Sequence, residues 1–183
     1  MSKPLTVNEV VALADTEEKV VRKEIEYGLF DAESPPRFSL PALVYFRVLA
    51  QLDIHLRVED RRKVYAAISE GLARPRRPSV VEITPLLDLK LAGITKEVTD
   101  KLRRFEAWKK KIVTDPQILG GEPTFPKTRL AVRRIGALAM RGAIDEIRED
   151  YPYLSAEDIE FAKLYTKAYP RVGRPRASKA AAG

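Results

Sequence analysis

Apolar positions in this chain recur mainly at three- and four-residue intervals, the spacing of one helical face, and polar punctuation cuts them into short elements. Thr6 and Glu9 stand at capping-box spacing before Val10, Val11 and Leu13, which predicts a helix ending near Ala14. Asp15 or Thr16 is placed to cap a second helix that Gly28 stops. On it Val20 or Val21 and Ile25 face inward, while Lys19, Arg22, Lys23 and Glu26 face out. A Pro-rich turn at Ser34 to Pro36 precedes Arg37 and Phe38, then a third helix from about Ser39 to Leu52 and a fourth from about Val58 to Leu72.

The run Ala73 to Pro78 sets Arg74, Arg76 and Arg77 between prolines, reads as an extended basic connector and marks a domain boundary. Ser79 to Leu91 is rich in β-branched and aliphatic residues, enough for one or two short strands. A helix from about Thr95 to Lys110 follows, in which Lys101, Arg103, Arg104, Lys109, Lys110 and Lys111 outweigh Glu106 and Val98, Leu102, Phe105 and Trp108 form the apolar stripe. Beyond Ile112, Asp115-Pro116, Gly120-Gly121 and Glu122-Pro123 punctuate extended pieces. Helices follow at about Val132 to Met140, Ile144 to Asp150 and Ala156 to Tyr169, the last capped by Ser155 with Asp158. From Pro170 the chain is basic, without acids or apolar periodicity, and reads as disordered until bound.

The expected fold class is mainly α: two small helical domains, an N-terminal (winged) helix-turn-helix and a C-terminal helix-turn-helix-like domain with short β pieces. The expected division is residues 1–76, a connector with short strands and a basic helix at 77–110, a C-terminal domain at 111–169 and a basic tail at 170–183.

Composition narrows the chemistry. Of 183 residues 45% are hydrophobic, and 33 Lys and Arg against 26 Asp and Glu leave a net charge of +7, which favours polyanionic partners. Without cysteine there are no disulfides, thiolate metal sites or Cys nucleophiles. Met1 to Thr6 is polar rather than signal-like, and no apolar window reaches the roughly 18 residues a membrane span needs, so a soluble, cytoplasmic protein is expected.

The sequence carries no HExxH or P-loop spacing, and His55, its single histidine, sits near a helix end beside Asp53 and reads as structural. Gly120-Gly121 lacks the following Lys-Ser/Thr of a phosphate loop and reads as a turn. Asp145, Glu146, Glu149 and Asp150, with Arg148 among them, read as a solvated face rather than a metal site. Neither a catalytic activity nor a cofactor is expected. DNA binding rests on better ground, because a second helix at this spacing can enter the major groove and present Lys19, Arg22 and Lys23, with Arg37 acting from the wing. Glu17, Glu18, Glu24 and Glu26 dilute the charge of that helix, and a solvated face is the alternative. Gly173-Arg174-Pro175-Arg176 has the core of a hook for the minor groove of A·T-rich DNA.

Two resemblances cover most of the chain. Thr6 to Ala14, Val20 to Leu29 and Phe38-Ser-Leu40 with the apolar helix after it resemble a MerR-type winged helix-turn-helix. Ile112-Val-Thr-Asp-Pro116, Ile118-Leu-Gly-Gly-Glu-Pro123, Thr128-Arg-Leu130, Arg141-Gly142, Glu149-Asp-Tyr-Pro152 and Leu154 to Ile159 closely resemble the domain of unknown function 433. Two positions depart from it: Lys127, where a Gly is usual, and Arg133, where His is expected. The resemblance implies a VapB-like antitoxin: a homodimer that binds operator DNA through its N-terminal domain and a PIN-like ribonuclease toxin through its C-terminal half, with no membrane partner. The alternative is a stand-alone DNA-binding transcriptional regulator. In the antitoxin reading Arg171, Arg174, Pro175 and Arg176 either hold the minor groove or enter the toxin's acidic metal pocket, where guanidinium pairs with carboxylates.

Overall fold

The first helix, α1 (Val7–Ala14), starts on a reciprocal cap: Glu9 donates its backbone N–H to the Thr6 hydroxyl at 3.2 Å and accepts from the Thr6 N–H at 2.9 Å. It ends where Asp15 turns left-handed at φ 54, so Asp15 closes this helix rather than capping the next. The second helix, α2 (Glu18–Glu26), begins after Glu17 with no side-chain cap, so neither Asp15 nor Thr16 fills the expected role. Gly28, at φ 68, ends it as expected. The structure, a computed structural model, describes residues 3–30, 35–52, 54–74, 80–84 and 87–171.

Helices α3 (Leu40–Gln51) and α4 (Val58–Ala73) complete the N-terminal group. Leu43, Val44, Tyr45, Phe46 and Val48 of α3 are all buried, because α1 and α4 pack on it and Phe30 folds over it, 5.3 Å from Phe46 and 4.7 Å from Tyr65 of α4. An antiparallel bridge between Leu5 and Phe38 ties the segment before α1 to the one after α2.

Strands β1 (Val80–Thr84) and β2 (Leu87–Lys90) pair antiparallel, Val80 with Lys90 and Glu82 with Asp88. Helix α5 (Leu91–Lys109) starts at Leu91 rather than near Thr95. Its N-cap, Lys90, makes no side-chain bond, so burial of Leu91 rather than a cap anchors the first turn. The remaining helices are α6 (Val132–Met140), α7 (Ile144–Asp150) and α8 (Ala156–Ala168), the last on the Ser155–Asp158 capping box. The protein is mainly α, its only sheet among the described residues being the β1–β2 pair. No described helix is long and apolar enough to cross a membrane.

The expected connector at 73–78 falls largely outside the described residues, and packing runs across it. Helix α8 lies on α1, α5 and α6, with Phe161 stacked on Trp108 at 5.3 Å and against Phe105 at 6.0 Å. Helices α6 and α8 approach most closely at Gly136, where a Cβ would stand 2.2 Å from the Ala162 carbonyl oxygen and 2.0 Å from the Thr166 hydroxyl. The two departures from the resemblance also find their places here. Lys127 takes φ 59, a conformation that explains why Gly suits this turn. Arg133 donates to the Tyr169 carbonyl at the end of α8 (3.1 Å) and to Glu122 (3.2 Å), and lies over the Tyr165 ring.

Two stability outcomes follow from this backbone. Gly136→Ala drives a methyl into main chain that cannot step aside, and a loss of about 2–3 kcal/mol is expected in urea denaturation. Lys127→Gly relieves a left-handed cost of about 1–2 kcal/mol against a backbone-entropy loss of about 0.5–1. A net gain of about 0.5–1 kcal/mol is expected in the same measurement.

Candidate nucleic-acid interface and the joint behind it

Helix α2 is held by a buried polar lock. Glu24 is only 1% exposed; its carboxylate accepts from the Tyr45 hydroxyl at 2.8 Å and from the Arg61 guanidinium. Burial, reinforced by the Glu24 charge, drives the Tyr45 phenol far above its ordinary pKa, so it stays a donor. Arg61 also lies over the Tyr27 ring at 4.9 Å, and Arg62 caps the end of α2 by donating to the Tyr27 carbonyl at 2.7 Å. Glu24 therefore does not dilute the outer face, as the sequence suggested it would. A signal was available, since residue 24 falls three positions after inward Val21.

With Val21 and Glu24 inside, Lys19, Arg22, Lys23 and Glu26 are exposed, as the periodicity predicted. Lys19 pairs with Glu17 at 2.8 Å, and Arg22 donates its Nε to Glu18 at 2.6 Å. Lys23 stands 5.7 Å over the Tyr27 ring. Pairs this exposed are weak and exchange readily for phosphate oxygens. Arg37 is exposed beside the Leu5–Phe38 bridge.

Elsewhere the candidates stay apart. Arg171 is exposed and bound to Glu122 at 2.9 Å, while Arg174, Pro175 and Arg176 lie outside the described residues. His55 is exposed between α3 and α4; its neighbour Asp53 lies outside the described residues. Asp145, Glu146, Glu149 and Asp150 are exposed on α7, and Gly120-Gly121 forms the turn expected of it, at φ 65 and 84. No group of three or more His, Cys, Asp or Glu among the described residues is arranged to hold a metal ion. On α5 the excess of free base is smaller than it looked, because Asp100 takes Arg103 and Glu106 takes Lys109, while Glu97 takes Arg47 of α3.

Behind the interface lies a joint that sequence reasoning missed. Glu9, besides capping α1, accepts from the Tyr169 hydroxyl at 2.5 Å and from Lys109 Nζ at 3.2 Å. Burial opposes its charge, but the bonds from Tyr169, the Thr6 N–H and Lys109 outweigh that and hold its carboxyl below the ordinary range. Burial and the Glu9 bond together push Tyr169 up to about 12. Two residues earlier, on α8, Lys167 reaches Asp15, in the turn between α1 and α2, at 3.3 Å. Burial opposes the Asp15 charge as well, yet the Lys167 ammonium outweighs it and lowers the carboxyl's pKa. The end of α8 thus grips both ends of α1.

Residues 112–166 match the model of a family described as a protein of unknown function (DUF433). The uncharacterized protein y4eO of Sinorhizobium fredii (strain NBRC 101917 / NGR234) is 31% identical over 91 residues, 49% of this chain and 41% of that protein. The chain therefore matches less than half the length of that curated relative. No solved structure matches.

The joint carries a pH signature. Because the folded pKa of Glu9 lies below its ordinary value, its contribution is complete above the ordinary glutamate range, about 4.3, and is lost as pH falls from there through the folded value. Glu9→Gln is expected to cost about 2 kcal/mol at pH 7 in urea denaturation. Its deficit relative to the unsubstituted protein should shrink toward zero in strong acid; a deficit independent of pH would exclude the ionised carboxylate as its source.

Proposed function

We propose that this protein is a DNA-binding antitoxin: a dimer that recognises its operator through α2 and neutralises a PIN-like ribonuclease through its C-terminal half. The observation that carries the DNA-binding part is the division of α2 into a locked inner face and an exposed basic outer one. Glu24 is fixed by two donors, Tyr45 and Arg61, which sets the rotation of the helix. Lys19, Arg22 and Lys23 then project from a short helix that follows a tight turn, the arrangement of a recognition helix. Preorganisation matters here because the helix does not have to reorient on meeting the groove.

The toxin-binding part is supported by the similarity of residues 112–166 to the DUF433 family together with the resemblance of such domains to VapB-like antitoxins. The net charge of +7 suits both partners, an operator and the carboxylate-lined centre of a metal-dependent nuclease. Dimerisation fits a two-fold operator. If the operator is bound and no nuclease partner exists, the protein is a stand-alone regulator.

Gel shifts with the chain's own promoter test the DNA reading: affinity is expected to fall steeply between two salt concentrations, as counterion release requires. Arg22→Ala with Lys23→Ala is expected to weaken binding by about 1–3 kcal/mol while the melting temperature holds, because both side chains are exposed. Unchanged affinity would remove α2 as the recognition helix.

A further inference from the structure

On the C-terminal unit, away from α2, a surface hollow of about 420 Å³ is lined by Val113, Ile118, Lys127, Thr128 and Arg129. The backbone beneath it is well anchored. Val113 exchanges both its N–H and carbonyl with Thr124, which is buried, and Phe125 beside it is buried too. The Thr128 hydroxyl donates to the Phe125 carbonyl and accepts from the Leu130 N–H, so the turn carrying Lys127 and Arg129 is cross-braced.

What the hollow offers outward is unusual for this chain. Val113 is 40% exposed, and Leu119, next to Ile118 in the same loop, is 57% exposed. Leu119 also sits at φ 49, left-handed backbone that a branched side chain adopts at a cost, and no burial within the chain offsets that cost. Lys127 and Arg129 are exposed, and neither forms an ion pair among the described residues. Glu122, in the same loop, holds Arg133 and Arg171, and Asp115 accepts from the Gln117 N–H. The result is an aliphatic hollow whose rim carries Lys127 and Arg129, neither in an ion pair among the described residues.

We propose that this hollow is the docking site for an acidic segment of a partner protein, one that seats an apolar side chain against Val113 and Ile118, covers the neighbouring Leu119 and sets carboxylates against Lys127 and Arg129. Charge complementarity selects the occupant. Aliphatic walls give bases no aromatic surface to stack on, which disfavours nucleic acid. The Thr128 hydroxyl already donates to Phe125 and accepts from Leu130, so its proton is not free for a ligand. An apolar anchor ringed by opposite charge is instead the anatomy of a protein hot spot, and burying Leu119 there would offset its backbone cost. The inference rests on the reading of the C-terminal half as the toxin-binding half, and it names the surface used.

The test co-expresses the full chain with a PIN-like ribonuclease taken from its own genome and measures dissociation constants for purified proteins. Lys127→Glu with Arg129→Glu is expected to raise the dissociation constant about tenfold or more and to slow association most at low salt. Leu119→Asn, which suits left-handed backbone and so preserves the loop, is expected to raise it about tenfold through faster dissociation. Promoter affinity should stay that of the unsubstituted chain, and the melting temperature should not fall. Undiminished binding by both variants would overturn the site while leaving the toxin reading intact. Lost promoter binding in the charge-reversed variant would assign the hollow to DNA, and an altered oligomeric state would assign it to a second copy. Failure of the unsubstituted chain to hold the ribonuclease would remove the toxin reading, and this inference with it.

Discussion

The Glu9 carboxylate carries two structural duties at once. One oxygen closes the first turn of α1 on Thr6, and the other receives Tyr169 from the end of α8 and Lys109 from the end of α5. Each bond makes the others more favourable, because a carboxylate fixed by one donor presents its remaining lone pairs in a defined direction and low surrounding polarity strengthens every contact. Loss of the charge would loosen a helix cap and an inter-unit contact together. With Lys167 on Asp15, this places both ends of α1 under the control of α8. The N- and C-terminal groups of helices are therefore mechanically coupled although separated by more than a hundred residues of sequence.

That coupling gives the candidate interface a rigid backing. α2 is set from one side by Glu24, Tyr45 and Arg61, while the turn that precedes it is set by Lys167. A helix supported in this way would spend little ordering free energy on binding, and whatever displaces α8 also displaces its support. The basic chain beyond Tyr169 starts at this same joint, with Arg171 drawn onto Glu122 beside Arg133. Under the proposed function, partner binding on the C-terminal unit and DNA binding on the N-terminal one would act on a shared piece of structure.

Arg133 and Lys127 show how two departures from a family pattern are accommodated differently. Arg133 replaces an expected His with a longer, forked donor that reaches a helix-end carbonyl and a carboxylate together, contacts that a planar imidazole is too short to combine. Lys127 keeps the left-handed turn without the residue best suited to it, and Thr128 braces the loop instead.

By itself the sequence determined the helices whose signals are local. Thr6 with Glu9 and Ser155 with Asp158 are caps read three residues apart, and the bounds of α6 and α7 follow from apolar spacing between prolines and glycines. The outward placement of Lys19, Arg22 and Lys23 was legible for the same reason, since 3.6-residue periodicity assigns a face without knowledge of what covers it. Only the tertiary structure decided what lies opposite that face. Glu24 became a buried lock because Tyr45 and Arg61 lie 21 and 37 positions away. Leu91 started α5 because its side chain is buried by the fold. Gly136 became indispensable because Ala162 presses on it. Glu9 acquired its second duty from Tyr169, 160 positions on. Caps and periodicity are properties of neighbours along the chain, whereas the cost of a buried charge or a missing Cβ depends on which distant residue folding brings against it.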